Sequence, residues 1–252
     1  MLKSVDILGI RVQSGPTDGV VAHIDSRLRQ RLATRVAFLN AHLSNVCARS
    51  EDLRQRLRDF LVLNDGVGLD IARRVLHGER FEENLNGTDF VTAFLDTTAH
   101  DLRIFLLGAR ADVVARTAQR LAEHWPRHTV VGFHHGFLEE ADEQALSSAI
   151  SGAKPDLVLV GMGNPRQEHW IATHIPALCP CAMAIGAWFD FFSGSIPRAP
   201  AWIRRARAEW IYRLWREPDR LAGRYLVGNA VFLARLAAAR LKSAVFKAAV
   251  PK

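Results

Sequence analysis

Cysteines and long apolar runs are scarce in this 252-residue chain. Its three cysteines, Cys47, Cys179 and Cys181, form no C-x-x-C pair, which predicts reduced, buried thiols rather than a disulfide framework. No run of eighteen apolar residues occurs, so we expect no helix that spans a bilayer. The N-terminal segment is too short and, at Asp6, too charged for a secretory signal peptide. We therefore expect a cytoplasmic protein.

The sequence also lacks residues at the spacing that a metal site requires. The sequence holds no D-x-D motif, and its ten histidines, which include His134 and His135, form no pair with an acid at metal-ligand spacing. We expect no metal ion and no bound cofactor. Any diphosphate ligand would then need basic side chains to neutralise its charge.

Acidic residues are scarce in the last quarter of the chain. Residues 195–252 contain thirteen Lys or Arg and three acids, whereas residues 1–194 contain twenty Lys or Arg and twenty-three acids. A solvated charged face is the ordinary interpretation of a basic run, but three acids cannot pair with thirteen cations. Trp202, Trp210 and Trp215 lie among these cations. This mixture suits an anionic, amphipathic surface, such as a phospholipid leaflet, a lipid-linked diphosphate or a nucleic acid.

The basic tail has the pattern of two or three helices, at about 200–216 and 218–248, broken around Pro218. On a helical wheel the second segment separates basic from apolar side chains, with Arg224, Arg235 and Lys242 on one side and Leu233, Ala237 and Leu241 opposite. We therefore predict a basic helical C-terminal appendage over residues 195–252, with one face on the body and another on lipid. The body is predicted to span residues 1–194.

Short apolar segments alternate with helical patterns in the body. The predicted strands are 35–40, 60–64, 102–107, 129–133, 157–161 and 181–186, and the predicted helices are 67–77, 88–99, 111–124, 139–152 and 165–174. The segment before Gly15 is consistent with an extra hairpin, and Thr88 or Asp89 is a candidate N-cap of the second helix. This alternation predicts an α/β fold, in which a mostly parallel sheet carries helices on both faces.

Ligands of open α/β sheets bind beyond the carboxyl ends of the strands. Asp65 follows a predicted strand and precedes Gly66. A carboxylate in that position can act as a general base on a hydroxyl group, although an Asp-Gly turn or a helix cap explains it equally well. The other predicted strand ends carry Asn40-Ala41-His42, Gly108-Ala109-Arg110, Gly161-Met162-Gly163 and Gly186-Ala187-Trp188.

Gly161-Met162-Gly163 resembles half of a dinucleotide-binding fingerprint. The third glycine is missing, so a nicotinamide site is not expected. Arg166, Gln167 and Glu168 follow in the first turn of a predicted helix. Arginine and glutamine can bind sugar hydroxyls or phosphate, whereas capping and the helix dipole explain the same residues without a ligand.

Together these segments resemble the WecG/TagA/CpsF glycosyltransferases, and the resemblance extends from about Val5 to Leu233. It is carried in the body by Asn40-Ala41-His42, Asn64-Asp65-Gly66-Val67-Gly68, Glu83-Asn84-Leu85-Asn86-Gly87-Thr88-Asp89, Phe105-Leu106-Leu107-Gly108-Ala109-Arg110, Gly161-Met162-Gly163-Asn164-Pro165-Arg166-Gln167-Glu168 and Gly186-Ala187-Trp188-Phe189-Asp190. In the tail it is carried by Arg198-Ala199-Pro200, Glu209-Trp210, Tyr212-Arg213-Leu214 and Glu217-Pro218.

The resemblance implies a Rossmann-like body and a metal-independent, inverting transferase. The implied donor is a UDP-sugar, and the implied acceptor is an undecaprenyl-diphosphate-linked sugar at the inner face of the cytoplasmic membrane. Asp65 matches the proposed general base and Gln167 a substrate-binding residue, while the appendage is implicated in membrane docking and in closing arginines over the site. The remaining candidate substrate-binding residues are Asn40, His42, Asn84, Asn86, Asp89, Gly108, Gly161, Gly163, Arg166 and Glu168, and the candidate diphosphate or membrane contacts are Arg198, Arg213, Arg220 and Arg224.

Two positions depart from the family pattern. Phe38 stands where many relatives have threonine, and Asn84 stands where many have arginine. Both lie near the expected sugar pocket, and the chain looks closer to members that build exopolysaccharides.

Two other functions fit parts of the sequence. A non-catalytic membrane adaptor of a polysaccharide-assembly complex would use the tail but would have no need of Asp65. A nucleic-acid-binding protein would use the interleaved Trp and Arg side chains, but the acidic balance of the body and its ligand-like strand ends oppose that interpretation, so no nucleic-acid partner is expected.

Overall fold

The computed structural model of the chain describes residues 2–137, 140–205 and 208–249. In these residues one sheet of eight strands runs in the order β1-β2-β4-β3-β8-β7-β5-β6. Only β1 and β2 pair antiparallel, and every other pair is parallel. The strands are β1 (Lys3–Ile7), β2 (Ile10–Ser14), β3 (Thr34–Leu39), β4 (Leu61–Asn64), β5 (Arg103–Gly108), β6 (Thr129–His134), β7 (Leu157–Gly161) and β8 (Cys181–Ala184).

Helices cover both faces of the sheet and bury a separate apolar layer on each. One layer is formed mainly by α2 (Ala41–Arg49), α3 (Glu51–Arg56), α4 (Val67–His77), α7 (Glu140–Ala153) and α8 (Arg166–Leu178). The other is formed by α1 (Thr17–Arg29), α5 (Gly87–Thr97), α6 (Ala111–His124) and α9 (Trp188–Phe192). The alternation of side chains along a strand feeds both layers: Val36 and Phe38 of β3 pack on one face, Ala37 and Leu39 on the other.

The predicted fold class is confirmed, as are the six predicted strands, the opening hairpin and the five predicted body helices. The proposed cap of α5 is wrong, because Asn86 rather than Thr88 or Asp89 accepts the hydrogen bond at the helix start, from Asp89 N at 3.0 Å. Helices α1 and α2, which follow Pro16 and Asn40 directly, were not predicted from the sequence. The division of the chain at residue 194 remains a prediction.

The basic tail forms short helices followed by one long helix. They are α10 (Ala201–Arg205), α11 (Glu209–Arg216), α12 (Pro218–Ala222), a π-helical turn at Gly223–Val227 and α13 (Gly228–Ala249). The long helix lies against α2 and α4, where Phe232 and Leu236 are buried in the body's own apolar layer. The Asn45 side chain donates to Gly228 O at 2.7 Å and fixes the start of α13. The tail is thus packed on the face of the sheet that carries α2 and α4.

Arg235 belongs to the packed side of α13, although the helical wheel placed it on the side of the free cations. Its guanidinium donates to Ser44 O at 3.0 Å and to Asn45 Oδ1 at 2.8 Å. Leu233 and Leu241, by contrast, are exposed. The wheel could not tell which side of the helix meets the body, because α2 offers polar acceptors to Arg235 while Lys242, placed on the same side, is exposed.

Exposed apolar side chains are concentrated on the tail. Trp202 and Trp215 are 71% and 74% exposed, and Leu226, Val227 and Leu241 each exceed 60%. Among the described residues, no helix combines the length and the apolar character that crossing a bilayer requires. The tail therefore presents an apolar surface next to exposed cations such as Arg240 and Lys242.

Replacing Arg235 should loosen the tail. In Arg235→Ala, the acceptors on Ser44 and Asn45 lose a charged donor, and we expect a loss of about 1–3 kcal/mol in unfolding free energy together with faster proteolysis within the tail. Arg240→Ala is the matched control, because it removes an exposed cation within two turns of Arg235 on α13. It should change neither the unfolding free energy nor the rate of proteolysis. Equal stability and equal protection from protease in both variants would contradict the anchoring role.

Candidate active site

A cavity of about 870 Å³ lies at the carboxyl ends of the central strands. Its walls come from the turns that follow β3, β4, β5, β7 and β8, and its cover comes from α11, the π-helical turn and α13 of the tail. A volume of this size is typical of a site for a small-molecule substrate. The tail is therefore part of the cavity as well as part of the apolar core.

Asp65 lies at the base of this cavity, directly after β4. Its backbone N–H donates to Leu39 O at 2.8 Å, which fixes the turn against β3. The Asn40 amide donates to Asp65 Oδ2 at 3.3 Å, while its own Oδ1 caps α2 by accepting from Leu43 N at 3.0 Å. Because the cap determines which way the Asn40 amide faces, the donor end is directed at Asp65.

Burial raises the pKa of Asp65 above the usual aspartate value. The hydrogen bond from Asn40 and the positive charges of Arg224 and Arg213 oppose that shift, whereas the negative charge of Glu209 adds to it. The carboxylate is therefore a stronger base than an exposed aspartate. It has no ion pair within 4.0 Å among the described residues.

Arg213 of α11 and Arg224 of the π-helical turn line the cavity from the tail side. The Arg213 guanidinium lies over the Phe191 ring at 5.3 Å, which orients it towards the site. Burial lowers the pKa of His42, and the charges of Arg224 and Arg49 lower it further, so the imidazole is neutral at pH 7. The tail thus adds two arginines to the cavity, which Arg110 and Arg166 of the body also line.

Two asparagines shape the turn beside Asp65. Asn84 Oδ1 accepts from Gly66 N at 2.9 Å, which holds Gly66 at φ +84°, a conformation that side chains disfavour. Asn86 caps α5 and also donates to Asp89 Oδ2 at 2.8 Å. All of these side chains line the cavity.

Arg198 links the tail to the body instead of lining the cavity. Its guanidinium contacts Asp89 Oδ1 of α5 at 2.8 Å and Glu209 Oε2 of α11 at 3.5 Å. Both carboxylates line the cavity. Arg198, which was predicted to contact the diphosphate, is therefore paired with two acids that line the cavity, and does not line it itself.

Gly108 has a packing role at the end of β5. A Cβ atom at this position would lie 2.4 Å from Gly161 O of β7, so only glycine permits the two strands to approach. Gly161 and Gly163 do line the cavity. Gln167 is 2% exposed and Glu168 is fully buried, and the two side chains form a hydrogen bond at 2.9 Å. Burial raises the pKa of Glu168 to about 7.

The structure brings most of the predicted site residues to one cavity. The predicted residues that line it are Asn40, His42, Asp65, Asn84, Asn86, Asp89, Gly161, Gly163, Arg166, Gln167, Arg213 and Arg224. Those that do not are Gly108, Glu168 and Arg198, and the side chain of Arg220 lies outside the described part of the chain.

Several lining residues were not predicted as site residues. Glu209 and Trp210 were part of the resemblance in the tail and could have been proposed on that ground. Tyr225 and Phe232 carry no local signal, because only the docking of α13 brings them to the cavity. In the described ranges, no group of three or more His, Cys, Asp or Glu side chains is arranged to hold a metal ion.

Comparison with known proteins agrees with the geometry. The model of the WecG/TagA/CpsF glycosyl transferase family matches residues 5–245. An N-acetylglucosaminyldiphosphoundecaprenol N-acetyl-beta-D-mannosaminyltransferase of Bacillus subtilis is 30% identical over 195 residues, which cover 76% of this chain and 75% of that protein. Proteins of the same name from Bacillus spizizenii and Staphylococcus aureus strain MW2 are 33% and 36% identical, over 64% and 56% of this chain and 62% and 54% of their own lengths. The chain therefore belongs to the WecG/TagA/CpsF family of glycosyltransferases.

Proposed function

We propose that this glycosyltransferase moves a sugar from a UDP-sugar to a hydroxyl group of an undecaprenyl-diphosphate-linked sugar, with inversion at the transferred carbon. The observation that carries the proposal is the partly buried Asp65 carboxylate, which shares one cavity with Arg213 and Arg224. A base and a pair of cations are the two groups that a direct displacement on a sugar diphosphate needs.

In the proposed reaction the Asp65 carboxylate accepts the proton of the acceptor hydroxyl. The acceptor oxygen forms a bond to the anomeric carbon of the donor as the bond from that carbon to the diphosphate oxygen breaks. The negative charge that develops on the departing UDP is stabilised by Arg213 and Arg224, so no metal ion is required. A single displacement inverts the configuration of that carbon.

The environment of Asp65 suits this role. A general base is most effective when its pKa lies near the working pH, and burial moves the pKa of Asp65 in that direction. The hydrogen bond from Asn40 holds one carboxylate oxygen and leaves the other to accept the proton. Asn40 thereby orients the base.

The acceptor is proposed from the relatives, whose printed name describes transfer onto a sugar carried by undecaprenyl diphosphate. The transferred sugar is a separate question. Phe38 lines the cavity wall and contacts Phe90, with ring centroids 5.8 Å apart. An aromatic side chain there makes the proposed sugar pocket apolar, which favours a donor other than that of the relatives and a role in exopolysaccharide or cell-surface polysaccharide synthesis.

We also propose that the enzyme works as a peripheral protein on the inner face of the cytoplasmic membrane. Exposed Trp202, Trp215 and Leu241 supply apolar contact, and exposed Arg240 and Lys242 supply attraction to anionic lipids. Leu233 is exposed at the rim of the cavity on the same helix. A lipid-linked acceptor could therefore reach Asp65 without leaving the membrane surface.

Asp65→Asn is expected to lower turnover roughly 10²–10⁴-fold, the usual contribution of a general base. Activity is measured with UDP-glucose, UDP-N-acetylglucosamine and UDP-N-acetylmannosamine on lipid-diphosphate acceptors, a panel that also identifies the donor. The fold should not weaken. An aspartate with a raised pKa destabilises the folded state as pH rises through that pKa, so the melting temperature of the variant at pH 8 should equal or exceed that of the wild type.

The matched control for Asp65→Asn is Asp59→Asn, an exposed carboxylate just before β4 at the opposite end of the strand. It should retain wild-type turnover. Full turnover of Asp65→Asn at saturating substrate would contradict the assignment of the base.

Transfer should continue in excess EDTA, because Arg213 and Arg224, which line the cavity, are proposed to stabilise the leaving group. The assay compares initial rates with and without chelator, and with added Mg²⁺ or Mn²⁺. Loss of activity in EDTA with recovery on addition of either ion would show that the leaving group depends on a metal.

Membrane binding should depend on the exposed tail cations. Attraction to an anionic surface is worth on the order of 1 kcal/mol per basic residue, so neutralising Arg240 and Lys242 together should weaken binding to anionic liposomes roughly 30-fold at low salt. Arg29 and Arg58, exposed cations at the amino-terminal edge of the sheet, provide the control pair. Equal binding of the wild type to neutral and anionic liposomes would argue against the electrostatic contribution.

A further inference from the structure

Gln167 uses its whole side-chain amide inside the protein. Its Oε1 accepts from Gly163 N and from Gly186 N, each at 3.2 Å. Its Nε2 donates to Glu168 Oε1 at 2.9 Å and to Ala184 O at 3.2 Å. A glutamine amide has two acceptor sites and two donor hydrogens. All four are engaged, so none is left for a substrate.

Glu168 determines which way this amide faces. Its Oε1 receives hydrogen bonds from Asn164 Nδ2 at 2.5 Å and from Gln167 Nε2 at 2.9 Å. The Ala184 carbonyl can only accept and the two glycine N–H groups can only donate, so the NH₂ end of Gln167 must face Ala184 and Glu168 and the oxygen must face the glycines. The orientation follows from the partners rather than from the amide itself.

The two glycines are the turn residues that follow β7 and β8, and both line the cavity. Gly163 has φ +79° and Gly186 has φ +59°, which are left-handed conformations that need support from their surroundings. Gly163 is held twice, because its carbonyl also accepts from Gln167 N at 3.0 Å. One buried side chain therefore joins the ends of two neighbouring strands.

We propose that Gln167 is a positioning residue that ties the turns after β7 and β8 into one rigid wall of the cavity, oriented by Glu168, and that it does not bind the substrate. The resemblance to the family implies a substrate-binding role for this position, and the hydrogen-bond geometry supports a different one. The N–H groups of Gly163 and Gly186 are likewise engaged and do not bind the donor's phosphates. The kinetic part of this inference rests on the proposed transferase function, but the structural part does not.

The first test measures amide hydrogen exchange at Gly163 and Gly186 by NMR, on the full chain labelled with ¹⁵N-glycine and without substrate. Both amides should be protected in the wild type and should exchange at least about tenfold faster in Gln167→Met. Gln119→Met is the matched control, since Gln119 donates to Glu123 at 2.9 Å on the exposed face of α6. It should leave both glycine amides unchanged.

Kinetics on the same variants separates positioning from binding. Misplacing a cavity wall lowers the rate of the bound complex, so Gln167→Met should lower kcat by about 10²-fold with a smaller change in KM for the donor. A lost substrate contact would instead raise KM at unchanged kcat.

A second variant keeps the proposal testable if Gln167→Met does not fold. Gln167→Glu preserves shape but places a carboxylate oxygen against Glu168 and Ala184 O. Its melting temperature should fall below that of the wild type, more at pH 8.5 than at pH 6, because a proton shared between the two carboxyl groups restores one donor at low pH. Combining Gln167→Glu with Glu168→Gln should recover part of the lost melting temperature. Position 168 then carries an amide that can donate to the carboxylate at position 167.

Two results would overturn the proposal. The first is exchange at Gly163 and Gly186 that is already fast in the wild type and becomes slow only when UDP is added. The second is a Gln167→Glu variant with the wild-type melting temperature at both pH values and a raised KM. The first result needs no sugar, whereas the KM in the second is measured with the donor that the panel identifies. Absent transfer activity with the expected exchange pattern would count against the proposed function alone.

Discussion

The partial burial of one carboxylate at the end of β4 is the constraint on which the site depends. A carboxylate removed from water is costly unless hydrogen bonds and positive charge compensate it. Here a single side-chain hydrogen bond from Asn40 and the field of Arg213 and Arg224 provide that compensation. Both arginines belong to the tail. The tail therefore supplies positive charge that favours the ionised form of Asp65 and opposes the rise in its pKa that burial causes.

The tail is held by contacts of two kinds, and this explains how it can act as a cover. Phe232 and Leu236 extend the apolar layer on one face of the sheet, and Arg235 is fixed by polar groups of α2. Arg198 fastens the other end of the tail, through Asp89 on the body and Glu209 on α11. With both ends anchored, Arg213 and Arg224 are presented to the cavity from a fixed position. The side chains of Trp202, Trp215, Arg240 and Lys242 are exposed to solvent.

The wall formed by the turns after β5, β7 and β8 depends on glycine backbone, beside the Arg110 and Arg166 side chains that also line the cavity. Glycines allow β5 and β7 to approach closely and allow the chain to turn sharply after β7 and β8. Such turns are weakly determined by themselves, and the buried amide of Gln167 joins two of them. A site made in this way combines a rigid wall with a charged cover from a separate segment. This is the arrangement that catalysis by positioning and electrostatics needs.

The alternation of apolar and periodic segments was enough to predict the α/β class, the strands and the strand-end positions of Asn40, Asp65 and Gly161, because those features depend on local periodicity. The scarcity of acids in the tail likewise predicted a basic appendage. Local patterns could not decide which cations point inwards, since Arg198 and Arg235 differ from Arg213 only in what the body places opposite them. They also could not show that Gln167 is saturated, because two of its four partners, Ala184 and Gly186, lie in a second segment of the chain. The sequence by itself determined the helices and strands and the residue types at their ends. The tertiary structure decided which of those side chains contact one another, because hydrogen bonds and burial between distant segments exist only once the sheet and the tail are packed together.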